Sequence, residues 1–185
     1  NGQTEEALRV VGEALERFRA EYGAVDPRTL DLLTSAGFYC QELGRFATAE
    51  VHWGEALGIA QKELGASHER TLTIMVDLAG VYQSQGQLSR AHSLIEQVFR
   101  VIKLERGPDD SGLIELHKWL GDYEQSLGRP EPAQRHYREV IRIVTLDAGP
   151  RDIRVAAAMR DLAQTHRDLT REYAKAIPLY EAALN

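Results

Sequence analysis

The sequence has little of what usually signals chemistry. Among 185 residues there is a single cysteine, Cys40, so neither an internal disulfide nor a cysteine-rich zinc site can form. The longest aliphatic run is roughly Val155 to Met159, far short of the ~20 residues a membrane-crossing helix needs. Positive charge is scarce: 22 Lys and Arg stand against 28 Asp and Glu, for a net charge of −6, which excludes a general nucleic-acid binder. Only Lys62, Lys103, Lys118 and Lys175 are lysines. From Asn1 onward there is no initiator Met, no charged n-region and no apolar h-region. The chain therefore reads as a fragment without a targeting signal, and its lone cysteine fits a reducing, cytoplasmic compartment.

Catalytic and metal signatures are missing too. No phosphate loop or dinucleotide-binding glycine fingerprint is present, and His68-Glu69 continues as Arg70-Thr71-Leu72 rather than as a zinc-protease motif. The six histidines, at 52, 68, 92, 117, 136 and 166, lack the i, i+4 pairing that would put two on one metal, and each reads as a surface or satisfied core residue. Cys40 falls at a core position with no basic neighbour to lower its pKa, and reads as a buried, inert thiol. The expectation is a non-enzyme without cofactor or metal. At 43 % hydrophobic and 27 % charged residues, the chain has the balance of a soluble globular protein.

What the sequence does have is a period. Glycines stand at 23, 65, 107 and 149, each 42 residues after the last. A second series stands at 2, 44, 86 and 128, and alanines follow at 7, 49, 91 and 133. The next alanine is Ala176 rather than position 175, so one extra residue has entered around Asp168–Glu172. Glycine just past a helix end takes the left-handed conformation without strain, so each series marks helix ends. Between the glycines the apolar spacing is helical, as in Ala91, Ile95, Val98, Phe99 and Ile102. No stretch of comparable length alternates with period two. Asp26-Pro27 is a helix start, and Ser67, Asp109 or Asp110, and Asp152 are caps at the equivalent places. These signals predict a lone helix over 3–22, then pairs at 27–43 with 46–64, 68–85 with 88–106, 110–127 with 130–148, and 152–169 with 173–185. One domain over 1–185 is expected, with 1–22 as the second helix of a truncated repeat and full repeats at 23–64, 65–106, 107–148 and 149–185.

The columns resemble the tetratricopeptide repeat in its 42-residue, kinesin-light-chain-like form. The first-helix pair is Ala36-Gly37, Leu78-Ala79, Leu120-Gly121 and Leu162-Ala163, with Cys40, Tyr82, Glu124 and His166 three residues on. The second-helix pattern is matched by Gly44, Phe46, Ala49, Trp53, Ala56 and Leu57, and by Tyr173, Ala176, Tyr180, Ala183 and Leu184. Trp53 and Tyr180 are thereby core. The stretches Leu64–His68 and Gly107–Asp109 are similar to the linker between light-chain-type repeats. The resemblance implies an all-α, right-handed superhelical solenoid of stacked antiparallel helix pairs, about nine helices in all, whose first helices line a concave groove.

By that geometry the groove carries Asp31, Thr34, Phe38, Gln41 and Glu42 in the first full repeat. It carries Thr73, Val76, Gly80, Gln83 and Ser84 in the second, and Glu115, Lys118, Asp122, Gln125 and Ser126 in the third. In the fourth it carries Ala157, Arg160, Gln164, Arg167 and Asp168. Gln41, Gln83 and Gln125 form a ladder suited to a peptide backbone, or else a solvated helix surface. Lys118 and Arg160 could reach one acidic group of a ligand, or Lys118 could pair with Asp122 at i+4. Trp119 is either an anchor for a partner or packed on a neighbouring helix. The family's cargo asparagines would fall at Thr34-Ser35, Val76-Asp77, Lys118-Trp119 and Arg160-Asp161, where there is none. Nor does a Lys precede an Asn by four as a carboxylate clamp needs, so neither ligand class carries over.

The resemblance implies a protein–protein interaction scaffold that binds a peptide or protein segment in the groove. The alternative is a regulatory sensor domain of a larger bacterial signalling or transcription-regulating protein. No nucleic acid or membrane is an expected partner, and self-association through truncated repeat ends is open.

Overall fold

In the computed structural model, residues 2–23 and 26–184 are described. Asn1 of the expected first segment, Ala24 and Val25 of the first turn, and Asn185 of the expected last helix lie outside them. The described residues form nine α-helices and no strand. They are α1 (Gly2–Tyr22), α2 (Leu30–Glu42), α3 (Phe46–Glu63), α4 (Glu69–Ser84), α5 (Leu88–Glu105), α6 (Leu113–Ser126), α7 (Pro130–Ala148), α8 (Ile153–Asp168) and α9 (Tyr173–Ala183). None is long and apolar enough to cross a membrane.

The glycine punctuation holds at seven of the eight positions in the two series; Gly2 instead opens α1. Gly23, Gly44, Gly65, Gly86, Gly107, Gly128 and Gly149 all have positive φ, between 68° and 97°. The eighth such turn has no glycine, because the extra residue entered there. Arg171 takes the left-handed conformation instead, at φ 54°, the one non-glycine described residue to do so. That turn is tied down by the Thr170 hydroxyl, which donates to the His166 carbonyl at 3.0 Å.

Three starts differ from the expected ones. The second predicted helix opens as a 3-10 turn, Pro27–Thr29, capped by Asp26. At α4 the cap is not Ser67 but His68, whose Nδ1 accepts from the Arg70 N–H at 3.1 Å. It occupies the same column as Asp26, Asp110 and Asp152, 42 residues apart. At α6 the Asp110 carboxylate accepts from the Gly112 N–H at 2.9 Å, and the helix begins only at Leu113.

The chain divides into two compact units, Asn1–Val98 and Phe99–Asn185. In the first, α1 packs on α2, α2 on α3 and α3 on α4. Gly37 lets α3 approach so closely that a Cβ there would stand 2.8 Å from Cε2 and Nε1 of Trp53. Cys40 is buried, and burial raises its thiol pKa. In the second unit α6 packs on α7, α7 on α8 and α8 on α9. Gly121 plays the part of Gly37 there, with the Tyr137 ring 2.7 Å from a notional Cβ. Ala133, Tyr137 and Leu162 form the centre of this core, with Ile141 and Leu179 against them. Trp53 is buried as expected, but Tyr180 is only half-buried, because its ring borders an open cavity beside α8.

Candidate interaction site

The first unit presents α2 and α4. Thr34 donates to the Asp31 carbonyl at 3.0 Å, so its hydroxyl is spent along its own helix. Phe38 is 52 % exposed and meets Tyr39 edge-on. Val76 and Gln83 are exposed. Gln41 is half-buried, with its amide nitrogen close to the side-chain position of Gly80, so it bridges from α2 to α4. Across the same pair of helices, Arg70 of α4 makes an ion pair with Asp31 of α2.

The second unit presents α6 and α8, and its polar groups are more tightly linked. Lys118 pairs with Asp122 at 3.2 Å, one of the two arrangements open from the sequence. The other Asp122 oxygen accepts from the Tyr137 hydroxyl at 2.8 Å. Burial, then that carboxylate, raises the Tyr137 pKa. Gln125 points its carbonyl oxygen inward, where it lies 3.0 Å from the Tyr137 hydroxyl and accepts from Thr165 at 2.9 Å. Gln125 is therefore a link between α6, α7 and α8. Gln41 and Gln83 belong to the first unit and Gln125 to the second. Trp119 is half-buried and stacks on Tyr123, ring centres 5.5 Å apart. Arg160 pairs with Asp161 at 3.0 Å, Arg167 with Asp168 at 2.6 Å, and Gln164 is half-buried.

Between α6, α7 and α8 lies a cavity of about 170 Å³. Its floor is apolar, built from Ile114, Val140, Ala157, Ala158 and the Tyr137 ring, and its rim carries Glu115, Lys118, Arg154 and Asp161. Arg160 borders a different, more open cavity of about 380 Å³ with Ile153, Tyr180 and Leu184. Lys118 and Arg160 thus stand at separate cavities, and each already has a carboxylate partner.

Arg154, Tyr137, Asp161 and Thr165 enter this region without having been singled out from the sequence. Arg154 was detectable through the period alone, since it stands 84 residues after Arg70, two repeats on. A second feature had no sequence signal. His117 of α6 and His136 of α7 face each other, Nδ1 to Nδ1, at 2.9 Å. Their separation of 19 residues has no helical meaning and arises only from the α6–α7 turn. One ring must donate and the other accept. Burial, then the nearby His136, pushes the His117 pKa down to about 4. No group of three or more His, Cys, Asp or Glu among the described residues could hold a metal.

Set against known proteins, the chain matches the family model described as Tetratricopeptide repeat over residues 31–103 and 110–185. A comparison with curated proteins gives no significant match. Among solved structures it is similar to BtubC (BKLC) from P. vanneervenii, with TM-score 0.83 and 18 % identity, over 99 % of this chain and 72 % of that one. A putative kinesin light chain of Podosopora anserina, described as having nearly identical TPR-like repeats, aligns at TM-score 0.83 and 20 % identity, over 100 % and 87 %. MamA aligns at TM-score 0.69 and 15 % identity, over 99 % and 88 %.

Proposed function

The chain belongs to the tetratricopeptide-repeat family, and from that premise we propose that it is a non-enzymatic interaction module. Its first-helix face, around the cavity between α6, α7 and α8, receives an extended segment of a partner protein. The observation that supports this is the cavity itself. It has room for about one side chain and an apolar floor, under a rim of charged residues from α6 and α8. An apolar depression rimmed by polar groups is the usual form of an anchor site, where one buried side chain supplies most of the affinity. The half-buried Trp119–Tyr123 stack stands on the same helix, α6. The same reading treats residues 23–64, 65–106, 107–148 and 149–185 as the repeats, with 1–22 closing an earlier one.

A photo-crosslinking residue in place of Ala157, on the cavity floor, should capture a discrete protein from extract. The same residue in place of Lys62, exposed on α3, should not. Capture at 62 alone, or equally at both, would move the site to another face, and capture at neither would end the proposal.

A further inference from the structure

We propose that the α6–α8 cavity is a socket for an apolar side chain of a partner segment that carries a basic residue beside it, and that Asp152 keeps the socket open by holding Arg154 away from Glu115. This rests on the reading of the cavity as the interaction site and adds the ligand's charge and the device that controls entry.

The argument starts from two pairs of positions related by the period. Asp31 and Arg70 stand 39 residues apart, on the first helices of successive repeats, and so do Glu115 and Arg154 two repeats later. In the first unit the pair is closed, with the Arg70 guanidinium on Asp31. In the second unit it is open. Both Glu115 and Arg154 border the cavity, but Arg154 donates through Nε to Asp152 at 2.9 Å and through its terminal nitrogen to Asp152 at 3.1 Å and Asp147 at 3.3 Å.

The cap residue decides which way the arginine turns. Arg28 behaves like Arg154, bound to its own cap Asp26 at 2.7 and 2.8 Å. Arg70 alone has a histidine cap, His68, whose Nδ1 is occupied by a backbone N–H. With no carboxylate two residues behind it, Arg70 extends to the neighbouring helix. An aspartate cap therefore retracts the arginine and a histidine cap releases it.

The consequence is a charge imbalance at the rim. Lys118 is matched by Asp122, Arg154 by Asp152 and Asp147, and Asp161 by Arg160. Glu115 is exposed and has no ion pair or hydrogen bond among the described residues. The unmatched charge beside the socket is negative, so the complementary segment is basic there. The volume of about 170 Å³ is close to that of apolar cavities that hold a benzene ring, so the floor suits a single leucine-, methionine- or phenylalanine-sized side chain.

The test is selection of a displayed random hexapeptide library on the 185-residue chain, with the recovered peptides measured by fluorescence anisotropy. Recovered peptides should place an apolar residue next to Lys or Arg, and Ala157→Arg, which fills the socket, should abolish their binding. Asp152→His removes the two closer contacts and leaves Arg154 only the 3.3 Å contact with Asp147. The equivalent residue before Arg70, Glu63, pairs with Lys62 and does not keep that arginine from Asp31, so Arg154 can close on Glu115. Because an exposed ion pair contributes little, binding should fall only about two- to fivefold. The His68 precedent shows that histidine can cap such a helix, so the fold should survive. Glu115→Gln should weaken the basic peptides by a similar factor while leaving peptides with Gln in place of the basic residue unaffected. In the Glu115→Gln background, Asp152→His should have no further effect. Binding abolished by Ala157→Arg but indifferent to Glu115→Gln and Asp152→His overturns this inference and leaves the site. No recovered peptide, or peptides indifferent to Ala157→Arg, overturns both.

Discussion

Replacing Gly37 with alanine should destabilise the protein, although the same change is stabilising in an open helix. Gly37 lies inside α2, where alanine is favoured by ~1 kcal/mol on propensity alone. Its new Cβ would stand 2.8 Å from Cε2 and Nε1 of Trp53 and 3.0 Å from Cδ1. Carbon atoms in comfortable contact sit at about 3.5 Å or more, so α3 would have to retreat by about half an ångström or the indole would have to leave its rotamer. Trp53 is 5 % exposed and has little room to turn. Overpacking of this kind costs ~1–3 kcal/mol, which outweighs the propensity gain and leaves a net loss of about 1 kcal/mol. Gly58, in α3, is the matched control: it is exposed, with nothing within 4 Å of its notional Cβ, so Gly58→Ala should stabilise by ~0.5–1 kcal/mol. Urea midpoints at equal slope measure both. The repeat supplies a rescue as well, because the equivalent positions one repeat on are Ala79 with Ile95 rather than glycine with tryptophan. In a Trp53→Ile background, Gly37→Ala should turn neutral or stabilising, a coupling within the ~0.5–3 kcal/mol seen between contacting residues. If Gly37→Ala stabilises as much as Gly58→Ala, the close approach of α2 and α3 is not real.

Two further outcomes follow from the second unit. His117 takes a proton near pH 6.5 when unfolded but only near pH 4 when folded, so the unfolded chain binds more protons between these values. Its contribution is complete above pH 6.5 and declines as pH falls toward 4, by roughly 3 kcal/mol in all, with Lys103 and Arg142 opposing its protonation and Glu139 favouring it. Stability measured against pH should lose this slope in His117→Leu, and an unchanged slope would mean the imidazole is not held neutral. Arg171→Gly should raise stability by ~1 kcal/mol, since the left-handed conformation it already adopts strains an arginine and not a glycine. A thermal midpoint unchanged or lowered in that variant would contradict the strained turn.

How much of this was legible in the sequence differs between kinds of feature. The helix ends were readable because a left-handed residue is required at each turn and glycine supplies it cheaply. Seven of the eight glycines in the two series stand at seven of those places, and Gly2 opens a helix instead. The eighth place was readable only as an insertion, and which residue would take the strained conformation was not. Serine is a common cap, which favours Ser67 on residue preference, whereas the column of Asp26, Asp110 and Asp152 runs through His68. The period held the answer, and residue preference pointed one position away from it.

The candidate site was legible as a set of positions and illegible as an arrangement. Lys118, Gln125 and Arg160 were placed on first helices by register, and that is where they stand. Register says nothing of which partner a side chain chooses. Gln125 could have met solvent and instead links Tyr137 to Thr165, while Arg154 could have crossed to Glu115 and instead returns to its own cap.

The sequence by itself determined the period, the helices, the turns and the columns of small and large residues between them. Each depends on local chemistry that repeats every 42 residues: backbone conformation at glycine and apolar spacing along a helix. Only the tertiary structure decided the open cavity, the His117–His136 contact and the reach of Arg70 to Asp31. These depend on distances between side chains 19 to 40 residues apart on different helices. There, the partner of each side chain is set by which group the packing of the helices brings within reach.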